Sequence, residues 1–167
     1  DDKRDASQCV TLNGPFGSFY LREKATPIVC IAGGSGLAPI KSILEGGVLD
    51  QSKRDVVFLF GARTQDDLYC IKELESIKEN WNKDYKFDFI PVLSMEPEDS
   101  DWKGGRGFVT DYFEENIVKK NNMDISDWQG YLCGPPPMVE AAITLLEKLG
   151  IKSDEIFFDS FTDSSNL

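Results

Sequence analysis

Short apolar runs alternate with helical patterns from residue 27 onward, and this alternation limits the fold more than any other feature of the chain. Pro27–Ala32 is a fully apolar, β-branched run ending in glycines, and Asp55–Phe60 is another, ending at Gly61. Tyr85–Leu93 is a third, whose early alternation predicts a more exposed strand. Trp128–Cys133 and Glu155–Phe158 supply a fourth and a fifth. Pro39–Leu49 follows the first run as a helix. Leu68, Ile71, Leu74, Ile77 and Trp81 recur at helical spacing after the second. Val109, Phe113, Ile117 and Val118 do so after the third. Val139, Ala142, Ile143 and Leu146 follow the fourth, with Gly150 as a C-terminal stop. Such an order predicts an α/β fold, a doubly wound five-stranded parallel sheet with helices on both faces. In these sheets ligands bind beyond the carboxyl ends of the strands, at the topological switch point. Function is therefore sought in the residues just after each strand.

Residues 1–26 break the rhythm. Asn13–Leu21 reads as a turn and a short strand with no helix partner, like the tail of another domain. No internal repeat or long low-complexity segment is present, and Asp159–Leu167 forms a polar tail.

Composition narrows the chemistry. A chain of 167 residues is long enough for one core and not clearly for two. Eighteen Lys and Arg against 29 Asp and Glu give a net charge of -11, with no basic cluster, so a nucleic-acid partner is not expected. No run approaches the ~18 apolar residues of a membrane span. The opening Asp1–Asp5 is no signal peptide, so the expected location is cytoplasmic, without a membrane partner. The absence of histidine removes Ser-His-Asp and Cys-His chemistry along with the commonest metal ligand. Cys9, Cys30, Cys70 and Cys133 are scattered with no C-x-x-C pair, so no metal site is expected. Cys30 and Cys133 lie in apolar runs, where buried, reduced thiols are the default.

Three strand exits carry the functional signal. Ala32–Pro39 joins the first strand to its helix through Gly33, Gly34, Ser35 and Gly36. Glycines let backbone approach a ligand closely, and the free N–H groups at the helix start suit a pyrophosphate. Purely structural turns use the same residues. Pro39 stands where a dinucleotide fingerprint beginning at Gly34 needs Gly or Ala, and Ile40 replaces the glycine a P-loop needs before Lys41. Cys133-Gly134-Pro135-Pro136-Pro137-Met138 makes a stiff turn after the fourth strand. After the second strand, Thr64 and Asp67 have the spacing of a capping box with Asp in place of Glu. Asp67 can cap the helix and still present a carboxylate where an adenosine ribose would lie.

Taken in order, Gly14–Arg22, Ala32–Pro39, Phe60–Arg63, Asp67-Leu68, Tyr131–Val139 and Ile156–Phe161 resemble the ferredoxin–NADP reductase superfamily. The likeness is greatest to the reductase components of bacterial multicomponent oxygenases, both aromatic-ring dioxygenases and soluble di-iron monooxygenases. It covers nearly the whole chain. It implies a parent with a [2Fe-2S] ferredoxin domain, an FAD-binding barrel and a dinucleotide domain. On that reading residues 1–24 are the C-terminal remnant of the barrel and 25–167 the NAD(P)-binding domain. The expected partners are the flavin and ferredoxin domains of the same parent and an oxygenase component. FAD and [2Fe-2S] belong to the parent, and the fragment alone is expected to be inactive.

The resemblance also implies residue roles. Gly33, Gly34, Ser35 and Gly36 would cradle the pyrophosphate. Cys133, Gly134 and Pro135 would border the nicotinamide, with Cys133 shaping the pocket near the reacting carbon. Asp159 and Phe161 match an acid-x-aromatic ending whose aromatic covers the flavin, although six residues follow Phe161. Asp67 would accept from the ribose 2′-hydroxyl and repel a 2′-phosphate, favouring NADH over NADPH, while Arg63 pulls the other way. Two rival readings remain: the flavin-bearing component of a membrane quinone reductase, and a non-catalytic nucleotide-binding module. A cysteine cluster with Arg-x-Tyr-Ser upstream would mark a reductase, and an added transmembrane helix the quinone enzyme.

Overall fold

In a β-strand successive side chains point to opposite faces, and here both sets are apolar, so each strand must be covered twice. The computed structural model describes residues 17–160. A parallel sheet forms its middle layer, built from β1 (Ile28–Gly33), β2 (Val56–Ala62), β3 (Phe87–Leu93), β4 (Gly105–Arg106), β5 (Gln129–Gly134) and β6 (Ile156–Ser160), in the order β4-β3-β2-β1-β5-β6. The helices are α1 (Leu37–Leu49), α2 (Ile71–Asn80), α3 (Val109–Tyr112, continuing as π-helix over Phe113–Lys119) and α4 (Pro136–Lys148). Among the described residues, no helix is long and apolar enough to cross a membrane.

The two faces have separate cores. Ile28, Cys30 and Ala32 of β1 pack with Leu37, Ile40 and Leu44 of α1 and with Leu74 and Ile77 of α2. Val29 and Ile31 pack instead with Val109, Phe113, Val139 and Leu146 from α3, its π-helical extension and α4. Helices therefore cover both faces, as the alternation of elements predicts.

Six strands, not five, make the sheet. The additional β4 pairs only Gly105 and Arg106 with Val92 and Leu93. Two residues are too few to leave a periodic signal. The first half of β3 consequently lies at the sheet edge, which accounts for its alternation and for exposed Asp88. Leu68, expected on the helical face of α2, lies before that helix. The chain passes through a short turn at Gln65–Asp67 and a left-handed Cys70 (φ 56°) before α2 begins at Ile71. Leu68 still packs against the core, so its periodicity reports burial without a continuous helix.

No strand occurs within residues 17–24, and the rest of the strand expected over 13–21 lies outside the described residues. Residues 19–22 close the sheet face above β5 and β6. Phe19 meets Tyr131 edge-on at 6.1 Å, and the Arg22 guanidinium lies 4.4 Å from the Phe157 ring. The Arg22 N–H donates to the Tyr131 hydroxyl at 2.9 Å, while buried Arg54 donates to the Arg22 carbonyl at 2.7 Å.

Candidate functional site

After β1 the chain builds β2, β3 and β4 on one side, then returns to place β5 on the other. The exits of β1 and β5 therefore lie side by side, and they meet through bare backbone. A Cβ on Gly36 would lie 2.2 Å from the Cys133 carbonyl oxygen and 2.5 Å from the Gly134 nitrogen. On Gly134 it would lie 2.9 Å from the Gly33 carbonyl oxygen. Met138 packs over this junction, its Sδ 2.5 Å from where a Gly33 Cβ would stand.

The turn that leads into α1 is chemically open. No side chain caps Gly34–Gly36, so its leading N–H groups are left for water or an anion, while the Leu37 N–H that begins α1 already donates to the Gly34 carbonyl. The start of α4 differs. Pro136 and Pro137 occupy its first positions and bring no N–H. Any anion held at this junction would therefore rely on the β1 exit. There Tyr69 donates its hydroxyl to the Gly34 carbonyl at 2.7 Å, with its ring edge-on to Phe60 at 5.6 Å. That bond fixes the orientation of the Gly34 peptide.

From this junction a cleft of about 370 Å³ runs along the carboxyl ends of β1, β2 and β3. Its walls include Gly33, Gly34, Arg63, Asp67, Ser94, Phe108 and Pro135. Asp67 Oδ2 accepts from the Thr64 backbone N–H at 3.0 Å and from the Thr64 hydroxyl at 3.2 Å, closing the expected cap. Asp67 remains exposed on the cleft wall.

A neighbouring loop braces that turn. Glu96 accepts from the Gln65 backbone N–H at 2.9 Å and from its amide at 2.7 Å. These donors, with Ser100 and Arg106, hold the Glu96 carboxyl below the usual carboxylate range. Arg106 in turn donates to the Glu96 and Pro97 carbonyls, both at 3.0 Å.

Cys133 is fully buried on the α1 side of the sheet. Burial pushes its thiol up to about 12, helped by Asp159, its partner in register on β6. At neutral pH it is a protonated thiol, suited to packing and unsuited to nucleophilic attack.

The structure thus brings Gly33, Gly34, Arg63, Asp67 and Pro135 into one cleft. Ser35 is exposed at the helix start, while Gly36, Cys133 and Gly134 are buried beneath it. Asp159 is exposed on β6 beside Cys133 and is not among the residues lining the cleft, and Phe161 lies outside the described residues. Tyr69, Glu96, Phe108 and Met138 belong to the site or its supports, yet sequence reasoning did not single them out. Phe108 had a signal: it follows Gly104, Gly105 and Gly107 and precedes a helical pattern.

Residues 30–144 match the family described as the oxidoreductase NAD-binding domain. The chain is 47% identical over 152 residues to the xylene/toluene monooxygenase electron transfer component XylA of Pseudomonas putida, covering 91% of this chain and 41% of that protein. It is 34% identical over 158 residues to one component of the Na(+)-translocating NADH-quinone reductase of Mannheimia succiniciproducens, covering 91% and 36%. The crystal structure of the Amycolatopsis cytochrome P450 reductase GcoB matches with a TM-score of 0.76 at 34% identity, over 91% of this chain and 44% of that one. The chain spans less than half the length of each of these relatives. By this match, over a stretch that includes the glycine loop, the Asp67 turn and the Cys133 exit, the chain belongs to the oxidoreductase NAD-binding domain family.

Proposed function

We propose that this chain binds NADH in the cleft and, within a longer parent, presents it to a flavin that feeds electrons to an oxygenase component. The observation that carries the reading is the uncapped Gly34–Gly36 turn ahead of α1, opening beside a cleft whose wall holds an exposed carboxylate. The first suits a pyrophosphate and the second a ribose hydroxyl. Residues 1–24 are read as the end of a flavin barrel and 25–167 as the dinucleotide domain. FAD and the [2Fe-2S] centre belong to further domains of the parent.

The redox chemistry is the cofactors' own: hydride from nicotinamide to flavin, then single electrons through the iron–sulfur centre. The chain's residues bind and orient. Gly33 to Gly36 supply backbone donors to the pyrophosphate, and Tyr69 holds the Gly34 peptide for them. Asp67 accepts from the 2′-hydroxyl and repels a 2′-phosphate, while Arg63 opposes that preference. Cys133, Gly134 and Pro135 shape the nicotinamide end, and Asp159 and Phe161 would act at the flavin of the parent. The quinone-reductase reading keeps the same NADH site and changes only what lies upstream. The higher identity to the monooxygenase component favours the oxygenase partner.

Titration with NADH and AMP, followed by calorimetry or by NMR of labelled protein, tests the binding reading. Millimolar-range binding with perturbations at Gly33–Gly36 and Asp67 is expected. Unperturbed spectra at several millimolar ligand would overturn it.

A further inference from the structure

The exits of β2 and β3 stay joined beyond their strands. The Ser94 N–H donates to the Ala62 carbonyl at 3.0 Å, and the Met95 N–H to the Arg63 carbonyl at 2.8 Å. At the next step a side chain takes over. Glu96 Oε2 accepts from the Gln65 backbone N–H at 2.9 Å, and its Oε1 from the Gln65 amide at 2.7 Å. Asp101, in the same loop, accepts from that amide at 3.2 Å. Arg106 pins the loop through the Glu96, Pro97 and Trp102 carbonyls and the Ser100 hydroxyl, rather than through the Glu96 carboxylate.

Bracing the turn does not require a charge. The amide oxygen of a glutamine would also accept from the Gln65 N–H. A carboxylate adds repulsion, because Asp67 already holds the preceding N–H, that of Thr64, at 3.0 Å. Two consecutive backbone donors thus each meet a carboxylate. They stand in the chain between Arg63 and Asp67, both on the cleft wall. An exposed arginine followed by two free N–H groups would seat a phosphate dianion. Here the arginine is exposed and both N–H groups are taken.

We infer that Glu96 is a specificity-determining residue, whose carboxylate occupies a donor that a ribose 2′-phosphate would need and repels that phosphate. Arg63 then does not turn the cleft toward NADPH. The inference rests on the NADH reading and adds to Asp67 a residue from a different loop. A free 2′-hydroxyl needs an acceptor, which Asp67 supplies, and makes no demand on the Gln65 N–H. A withheld donor and a repelling charge therefore penalise one ligand and spare the other. Glu96 is not among the residues lining the cleft, so it acts through the Gln65 turn and through its charge.

The test compares AMP with adenosine 2′,5′-bisphosphate, which differ by the 2′-phosphate alone, using calorimetry on this chain. The readout is the ratio of the two dissociation constants. Glu96→Gln keeps an acceptor and removes the charge, and should shift the ratio toward the bisphosphate about two- to fivefold. Glu96→Ala also frees the Gln65 N–H and should shift it further, roughly tenfold or more. Added salt should shrink the Glu96→Gln effect by screening the repulsion. Glu98→Gln, removing an exposed charge two residues along the same loop, should leave the ratio within roughly 1.5-fold of wild type. A merely structural brace would weaken both ligands alike when lost. An unchanged ratio in Glu96→Gln and Glu96→Ala, or an equal shift in Glu98→Gln, would overturn the assignment and leave NADH binding standing. A wild-type chain that binds neither NADH nor AMP would instead overturn the NADH reading, and the assignment with it.

Discussion

Three glycines in and beside α1 should respond to alanine with opposite signs, and the contrast tests the interlocked exits of β1 and β5. Gly36 has ordinary right-handed helical dihedrals (φ -63°, ψ -8°). Local propensity alone favours alanine there by up to about 1 kcal/mol. Sterics says otherwise. The new methyl would sit 2.2 and 2.3 Å from the carbonyl oxygen and carbon of Cys133 and 2.5 Å from the Gly134 nitrogen. All three are backbone atoms of a strand paired on both sides. No rotamer relieves them, so the β1 and β5 exits must separate by about 1 Å. Overpacking typically costs 1–3 kcal/mol, and a clash with paired backbone belongs at the upper end.

Gly36→Ala is therefore expected to lose about 3 kcal/mol, a large share of a stability of 5–15 kcal/mol. Its melting temperature should fall by about 6–12 °C. Gly34→Ala meets no atom within 4 Å, but its φ of 53° should make it cost about 1–2 kcal/mol. Gly46→Ala, within α1 and also free of contacts, should gain about 0.5–1 kcal/mol. Circular-dichroism melts and denaturant midpoints on the three variants provide the measurement. If Gly36→Ala melts at or above the wild type, the close approach of the two exits is refuted, and the site built on it falls too.

Asp67→Ser should narrow the preference for NADH over NADPH roughly fivefold by removing ~1 kcal/mol of repulsion from the 2′-phosphate. It should also lose about 1 kcal/mol of stability with the cap. Calorimetric dissociation constants for both nucleotides check this, and an unchanged ratio would leave Asp67 as a cap alone. Cys133→Ala in a full-length parent should lower the limiting rate of flavin reduction more than it weakens NADH binding. An unchanged rate with a lower melting temperature would make Cys133 a packing residue only. The raised folded-state value of the Cys133 thiol carries a pH signature. Its contribution is fully present below the unfolded value of 9.0 and is lost as pH rises toward the folded value of about 12. Wild-type denaturant midpoints should therefore fall between about pH 9 and 11 more steeply than those of Cys133→Ala.

Much of this architecture was legible because one signal, the alternation of β-branched runs with 3.6-residue periodicity, arises from the burial that builds the sheet. Ile28 to Ala32 and Val56 to Phe60 are continuous apolar runs because both faces of their strands are covered. The Thr64–Asp67 cap was readable because it is local, its two partners being three residues apart. β4 was not, since Gly105 and Arg106 become a strand only by meeting Val92 and Leu93 across the sheet. Tyr69 was hidden for the same reason: its hydroxyl acts on Gly34, 35 residues away.

Phe108 shows what kind of evidence a sequence withholds. Read along the chain, it is another aromatic beside Val109 at the start of a helical pattern, and an expectation of burial would be reasonable. Its neighbour is indeed buried, at 6% exposure, while Phe108 stands at 67%. One residue of phase separates core from cleft wall, and Gly107 sets that phase through a backbone conformation that other residues adopt only under strain. A glycine cluster before a helix therefore carries information about the side chain that follows it, at Gly107-Phe108 as at Gly34–Gly36. In both places the glycines aim a group at the carboxyl edge of the sheet: free N–H donors after β1, an aromatic face before α3. Unpartnered donors and an exposed aromatic face thus meet at one edge, held there by backbone rather than by side-chain packing.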